Sequence, residues 1–245
     1  MNYNRLQLEV ICESTKIGIM EATTKTSFLE QFSLFDSLNT EEKLLLEKYV
    51  DHRIKRKYSY VYLPDEPSQT VFFLIKGTVK IGTHSNDGRE IIKAILHPTA
   101  MFGELGLVGE QSRQDFARAM NEEVHLIALK VNDFQKLMES NHLLCLKVIT
   151  LLGKRLKTAE NRLESLIFKD ARTRIVDFIK ESAKKRGRRV GYEMLLKHSL
   201  TQQDIANLTG TSRQTVTSVL NELRKADLIY FNRRSILIRD MARLA

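Results

Sequence analysis

Arg213, Gln214, Thr217 and Ser218 are spaced to fall on one face of a helix, and all four carry hydrogen-bonding side chains. Arg can donate two hydrogen bonds to guanine O6 and N7, and Gln can pair with adenine N6 and N7, so the set suits the reading of base edges in a major groove. The interleaved Val216, Val219, Leu220 and Leu223 fall on the opposite face and are expected in a core. Upstream, Thr201 with Asp204 three residues on has the spacing of a capping box with Asp in the Glu position, opening a helix through Leu208. Gly210 supplies the positive φ of a tight turn, and Thr211 or Ser212 caps a second helix running to about Arg224. Small Ala206 and apolar Ile205, Val216 and Leu220 stand where two crossing helices touch, which is helix-turn-helix spacing. Beyond the second helix, LIYF, NRRS and ILIRD read as a hairpin, a wing. Its Arg233 and Arg234, with Thr211 and Ser212 at the helix start, are the expected contacts to the phosphate backbone.

The charge distribution indicates what such a surface would meet. Residues 1–170 hold 23 basic and 23 acidic side chains, whereas residues 171–245 hold 16 and 7, so the whole net charge of +9 sits in the last 75 residues. A basic module beside a neutral one is the pattern of a chain in which one domain binds a polyanion, here double-stranded DNA. Other chemistries find no residues. Cys12 and Cys145 cannot form a disulfide framework or a four-thiolate site, so no iron–sulfur cluster is expected. His84, His97 and His125 lack metal-ligand spacing and no His-x-His occurs, so no metal site is assigned. The glycines of FGELGLVG lack the Gly-Lys-Ser/Thr ending of a P-loop and no catalytic triad is matched; the chain is not expected to be an enzyme. No apolar run approaches the roughly 20 residues of a membrane span. Glu9, Glu13, Lys16 and Glu21 interrupt the first 25 residues, unlike a signal sequence, so a cytoplasmic protein without membrane contact is expected.

The elements that must position these residues follow from periodicity. The chain has 245 residues, 42% of them hydrophobic, enough for two domains. Residues 1–27 show no clear period and read as an extension. From Phe28 to Val50 short helices are expected, one capped by Asn39 or Thr40 with Leu44, Leu45 and Tyr49 on its apolar face. Between Asp51 and Leu129 lie all three prolines and six of the eleven glycines, punctuating β-branched and aromatic runs. VFFLIKGTVKIGT reads as two strands hinged at Lys76-Gly77, NDG as a turn before EIIKAIL, and EVHLIALK as a further strand, together a barrel or jelly roll. From Asp133 to Ile167 the period is helical, with Cys145, Ile149, Leu152, Leu156, Ala159, Leu163 and Leu166 in a heptad seam. Such a seam favours a parallel homodimer. Asp170 caps the next helix and marks the hinge. The expected fold is α+β: a sensor roll at 28–132, a dimerisation helix at 133–169 and a winged helix-turn-helix at 170–245.

FFLIKGTVKI, FGELGL at Phe102 to Leu107, the long helix through Leu166 and SRQTV at Ser212 to Val216 resemble the cyclic-AMP receptor protein and fumarate-nitrate regulator (Crp/Fnr) superfamily of bacterial transcription factors. The resemblance runs from about Phe28 to Ile238. It implies a homodimer that reads a palindromic operator, contacts RNA polymerase and takes a small effector in the β-roll. It also implies effector contacts at Gly103, Glu104, Arg113 and Gln114, and a guanine opposite Arg213. The match departs in places. Gln114 replaces a Ser or Thr, Asp115 adds a negative charge, and Ala159 and Glu160 stand where cyclic-AMP sensors carry a Thr-Ser pair. The effector is therefore open between cyclic AMP, another small molecule and none. The alternative function is a cyclic nucleotide-binding regulatory subunit that docks a protein partner through its C-terminal helices.

Overall fold

The computed structural model describes residues 28–244, so the apolar positions of the N-terminal extension lie outside the described residues. A 3-10 helix at Ser33–Ser37 leads into α1 (Thr40–Tyr49), which starts where the sequence places a cap: Asn39 Oδ1 accepts from Glu42 N at 2.8 Å, and Glu42 Oε2 accepts from Asn39 N at 2.9 Å. The buried face of α1 differs from expectation. Leu46 is buried, while Leu44, Leu45 and Tyr49 are exposed, because among the described residues the helix meets its neighbours along the Leu46 side.

Eight strands follow: β1 (Asp51–Arg56), β2 (Tyr60–Tyr62), β3 (Thr70–Lys76), β4 (Val79–His84), β5 (Glu90–Leu96), β6 (Met101–Phe102), β7 (Phe116–Ala119) and β8 (Glu123–Lys130). They form two antiparallel sheets in the orders β1-β8-β3-β6 and β2-β7-β4-β5, a roll. The continuous apolar run Val71-Phe72-Phe73-Leu74 in β3 is explained by burial on both faces. Val71 and Phe73 join a core with Phe35, Ile127, Leu129 and Phe134 outside the roll, while Phe72 and Leu74 join Val61, Val79, Phe102 and Leu126 inside it. Each such fully buried side chain contributes roughly 1.5–3 kcal/mol by leaving water.

The helical stretch after β8 is two helices, α2 (Val131–Ser140) and α3 (His142–Phe168), rather than one. Asn141 breaks it: its Oδ1 accepts from Leu144 N to cap α3, and its Nδ2 donates to Ser37 O and to the Glu42 carboxylate. That amide ties three helices at one point. After Phe168 the chain turns at Lys169, and Asp170 caps α4 (Ala171–Arg186), accepting from Thr173 N at 2.7 Å.

The C-terminal module adds β9 (Arg188–Val190), β10 (Glu193–Lys197), α5 (Gln202–Thr209), α6 (Arg213–Lys225), β11 (Ile229–Phe231) and β12 (Ser235–Ile238). The wing hairpin β11–β12 extends into a four-stranded sheet, β11-β12-β10-β9. Its own core holds Ile175, Ile179, Ile205, Ala206, Val216, Leu220, Leu223 and Ile236.

Candidate nucleic-acid interface and effector chamber

The turn between α5 and α6 is built as the sequence requires. Thr201 Oγ1 accepts from Asp204 N, and Asp204 Oδ2 accepts from Thr201 N at 2.8 Å, so both halves of the capping box are present. Gly210 has φ +63°, a left-handed conformation natural to glycine, and closes α5 by donating to Ala206 O. Of the two candidate caps for α6, Ser212 serves, accepting from Thr215 N at 3.0 Å. Arg174 of α4 clamps the turn from behind, donating to Thr209 O at 2.8 Å and Gly210 O at 3.1 Å.

This support leaves the reading face free. Arg213, Gln214 and Ser218 are exposed, Thr217 is half-buried, and with Asn221 they line an open groove of about 580 Å³ along α6. Asn221 was not singled out from the sequence; it lies one helical turn beyond Thr217 and so shares its face. Thr217 is more constrained than its spacing suggests. Its Oγ1 lies 2.7 Å from Gln202 Oε1 and 2.9 Å from Arg213 O, which ties α6 to the start of α5. At the wing tip Asn232 Oδ1 accepts from Arg234 N and Ser235 N, ordering a turn on which Arg233 and Arg234 are exposed. Thr211 Oγ1 meets Thr209 Oγ1 at 3.1 Å inside the turn, whereas Ser212 is exposed.

Three of the four effector candidates meet in the roll. Gly103, again left-handed at φ +74°, ends β6 and opens the 3-10 helix Glu104–Val108. Arg113 is buried: its Nη1 donates to Gly103 O at 3.0 Å, its Nη2 donates to Thr70 O, and its guanidinium lies 4.5 Å over the Tyr62 ring. Its Nε is buried and has no hydrogen-bond partner among the described residues, so one donor remains for an anion. A Cβ at position 103 would meet Arg113 Nη1 at 3.0 Å, so this corner is closed to larger residues. Glu104 is buried and paired with Arg155 of α3, which also donates to Met101 O. Burial lowers the Arg155 pKa, and proximity to Tyr62 opposes that shift. Arg155 is not among the residues singled out from the sequence. Gln114 stands apart, exposed with its amide on Ser112 O. Asp115 is held by Tyr62 Oη and Lys93 Nζ, both at 3.2 Å, so its charge is compensated. Burial, followed by the Asp115 charge, raises the Tyr62 pKa and keeps the phenol protonated.

The corner therefore gathers a buried guanidinium with one N–H unpartnered among the described residues, the Glu110 carboxylate 4.0 Å from its Nη1, and the Glu104–Arg155 pair. The hydroxyls that a cyclic-AMP sensor would add from α3 are replaced by exposed Ala159 and Glu160.

Along α3 five of the seven expected seam residues, Ile149, Leu156, Ala159, Leu163 and Leu166, are exposed, and two are half-buried. Leu152 packs on the first core and Cys145 is half-buried, while Leu166 stays 52% exposed although its Cδ2 would lie 2.8 Å from a Cβ at Gly210. The exposed row is Leu146, Ile149, Leu156, Leu163 and Ile167, each more than half exposed, with Gly153 and Glu160 completing alternating steps of three and four. Ile149, Leu156 and Leu163 belong to both rows. Among the described residues no group of three or more His, Cys, Asp and Glu is placed to hold a metal, and no helix is long and apolar enough to cross a membrane.

Residues 53–141 match the cyclic nucleotide-binding domain family and residues 173–245 match the Crp-like helix-turn-helix domain family. The chain is 31% identical over 185 residues to the CRP-like cAMP-activated global transcriptional regulator of Mycobacterium tuberculosis, covering 76% of this chain and 82% of that one. It is 27% identical over 186 residues to the global nitrogen regulator of Synechocystis sp., covering 76% and 83%. Its fold is similar to that of FixK2 from Bradyrhizobium japonicum, with a TM-score of 0.71 and 24% identity, covering 80% of this chain and 95% of that one.

Proposed function

Because the chain belongs to the Crp/Fnr superfamily and is a DNA-binding transcription regulator controlled by an effector, we propose that it acts in the cytoplasm as a homodimer on a palindromic operator and works with RNA polymerase. Residues 28–132 form its sensor, 133–169 its dimer helix and 170–245 its reading module. Arg213, Gln214 and Ser218 read base edges, Thr217 positions α6 through Gln202, and Ser212, Arg233 and Arg234 hold the phosphate backbone. Thr211 shapes the turn. The observation that carries this reading is the separation of faces on α6: hydrogen-bonding residues exposed on one side, Val216, Val219, Leu220 and Leu223 buried on the other, in the module that carries the positive charge.

The effector occupies the Gly103, Glu104 and Arg113 corner. An anionic group meets Arg113, and a polar group competes with Arg155 for Glu104. Cyclic AMP supplies both, through its phosphate and its ribose hydroxyl. Since Arg155 lies on the dimer helix, a ligand that rearranges the Glu104–Arg155 pair acts directly on α3, and through it on the separation of the two reading helices. Selection of bound sequences from random duplex DNA at physiological salt, with and without cyclic AMP, tests the reading. A palindrome enriched only with the nucleotide supports all of it. A palindrome in both conditions excludes cyclic AMP as the required effector, and no enrichment rejects sequence-specific reading.

A further inference from the structure

Lys80 lies on β4 of the roll, yet its ammonium is buried between carboxylates of two domains. Its Nζ is 2.7 Å from Glu90 Oε1 on β5 and 3.2 Å from Asp204 Oδ1 on α5, and the three side chains are 10%, 18% and 11% exposed. Asp204 has a double role. Its Oδ2 closes the capping box at the start of α5 while its Oδ1 reaches across to the roll. Asn207, one turn further along α5, donates to Glu90 at 3.4 Å, and Ile95 and Met120 of the roll pack against the core of the C-terminal module. The same hairpin touches the dimer helix on its other side: Arg162 of α3 donates to Lys93 O. Strand β5 thus stands between the helix that carries the dimer seam and the first helix of the reading motif.

We propose that Lys80 and Asp204 are positioning residues that fix the spacing of the half-sites the dimer accepts. This rests on the reading of the chain as a dimeric reader of palindromes. The only covalent connection between α3 and α4 is the extended turn at Lys169 and Asp170, and such a turn leaves a module free to swivel. The shared ammonium removes that freedom, because any swivel strands buried carboxylates without their cation, an arrangement that proteins tolerate poorly. Adding one base pair between half-sites moves one of them by about 3.4 Å and turns it by about 35° around the duplex. A module clamped to its roll cannot follow that displacement. A released one can.

The test is selection on duplexes carrying two copies of the selected half-site with variable spacers, using the full-length protein and its Lys80→Met, Asp204→Asn and Lys80→Arg variants. Asp204→Asn provides a second route, since Asn keeps an acceptor for the Thr201 N–H while removing the charge that faces Lys80. The wild type is expected to favour one spacer by about tenfold over neighbours one base pair longer or shorter, the discrimination typical of one misplaced base pair. Lys80→Met and Asp204→Asn are expected to bring that ratio close to one while keeping the half-site sequence, and Lys80→Arg to restore it. Unchanged spacer preference in both disruptive variants would overturn the proposal. So would loss of half-site sequence together with spacing, which would mean that the residues only support the fold. A wild type that enriches no paired half-sites would overturn the palindrome reading first, and the role of the clasp with it.

Discussion

Arg213 is exposed at the first turn of α6, with its backbone carbonyl next to the Thr217 hydroxyl and its side chain on the open groove. No hydrogen bond or ion pair of its side chain holds the fold among the described residues, so its removal reports on recognition. Arg213→Ala is expected to weaken binding to the selected operator by about 1–3 kcal/mol and leave binding to random duplex nearly intact, as measured by titration at fixed salt. Equal losses on both would make Arg213 a phosphate contact. A second residue reports on stability. His97, at the end of β5, is pushed down to about 4 by burial and then by the Arg186 charge from α4, and burial pushes His198 in the same direction. The unfolded chain titrates its histidines near 6.5, so between about 6.5 and 4 it binds more protons than the folded chain, and stability falls as pH falls through that window. His97→Gln is expected to flatten the dependence of Tm on pH there and leave it unchanged above pH 7. The reading residues were legible because a 3.6-residue period sorts faces without reference to the rest of the molecule. Arg155 was not, because its partner Glu104 is 51 positions away, and the tie from Thr217 to Gln202 depends on how two helices cross.

At the scale of elements, the α5–α6 turn carries the most local constraint. Gly210 is left-handed, and a Cβ there would lie 2.8 Å from Leu166 Cδ2 of α3. Gly210→Ala is expected to destabilise the C-terminal module by about 1–2 kcal/mol from the backbone conformation alone, visible as a lower Tm. Displacement of Leu166 is expected to add enhanced amide exchange at the end of α3. An unchanged Tm would show that the turn relaxes into another form. Caps and turns were readable because their chemistry is local: Asn39, Asp170, Thr201, Asp204, Gly210 and Ser212 all do what their spacing suggests. Strands without that local signature were missed. Strand β1, Asp51–Arg56, is almost wholly exposed and charged, and it is a strand because β8 offers it an edge. Similarly β9 and β10 form a sheet that only the wing completes. The break at Asn141 escaped notice because apolar residues recur on both sides of it, and only contacts with Ser37 and Glu42 show why the helix ends.

At the scale of the molecule, α3 presents Leu146, Ile149, Leu156, Leu163 and Ile167 at 55%, 57%, 63%, 60% and 65% exposure, with no element among the described residues to cover them. A stripe of that length in water favours a second copy of the same helix. The heptad was visible in the sequence, but not that Leu152 in its middle would pack toward its own roll, since Leu152 is as apolar as its neighbours and only tertiary packing draws it inward. Leu156 lies at the centre of the row and touches no core, so a charge there acts on association rather than on folding. Leu156→Lys is expected to yield a folded monomer at micromolar concentration by sedimentation, with a Tm reflecting only the lost dimer contact. Its effect on DNA follows from counterion release. A monomer neutralises the phosphates of one half-site, so the slope of log K against log salt is expected to fall to about half that of the dimer, and affinity for the palindrome to fall to that for a single half-site. Because Leu156 belongs to both rows, a dimer that survives Leu156→Lys would place the interface off this face of α3 altogether.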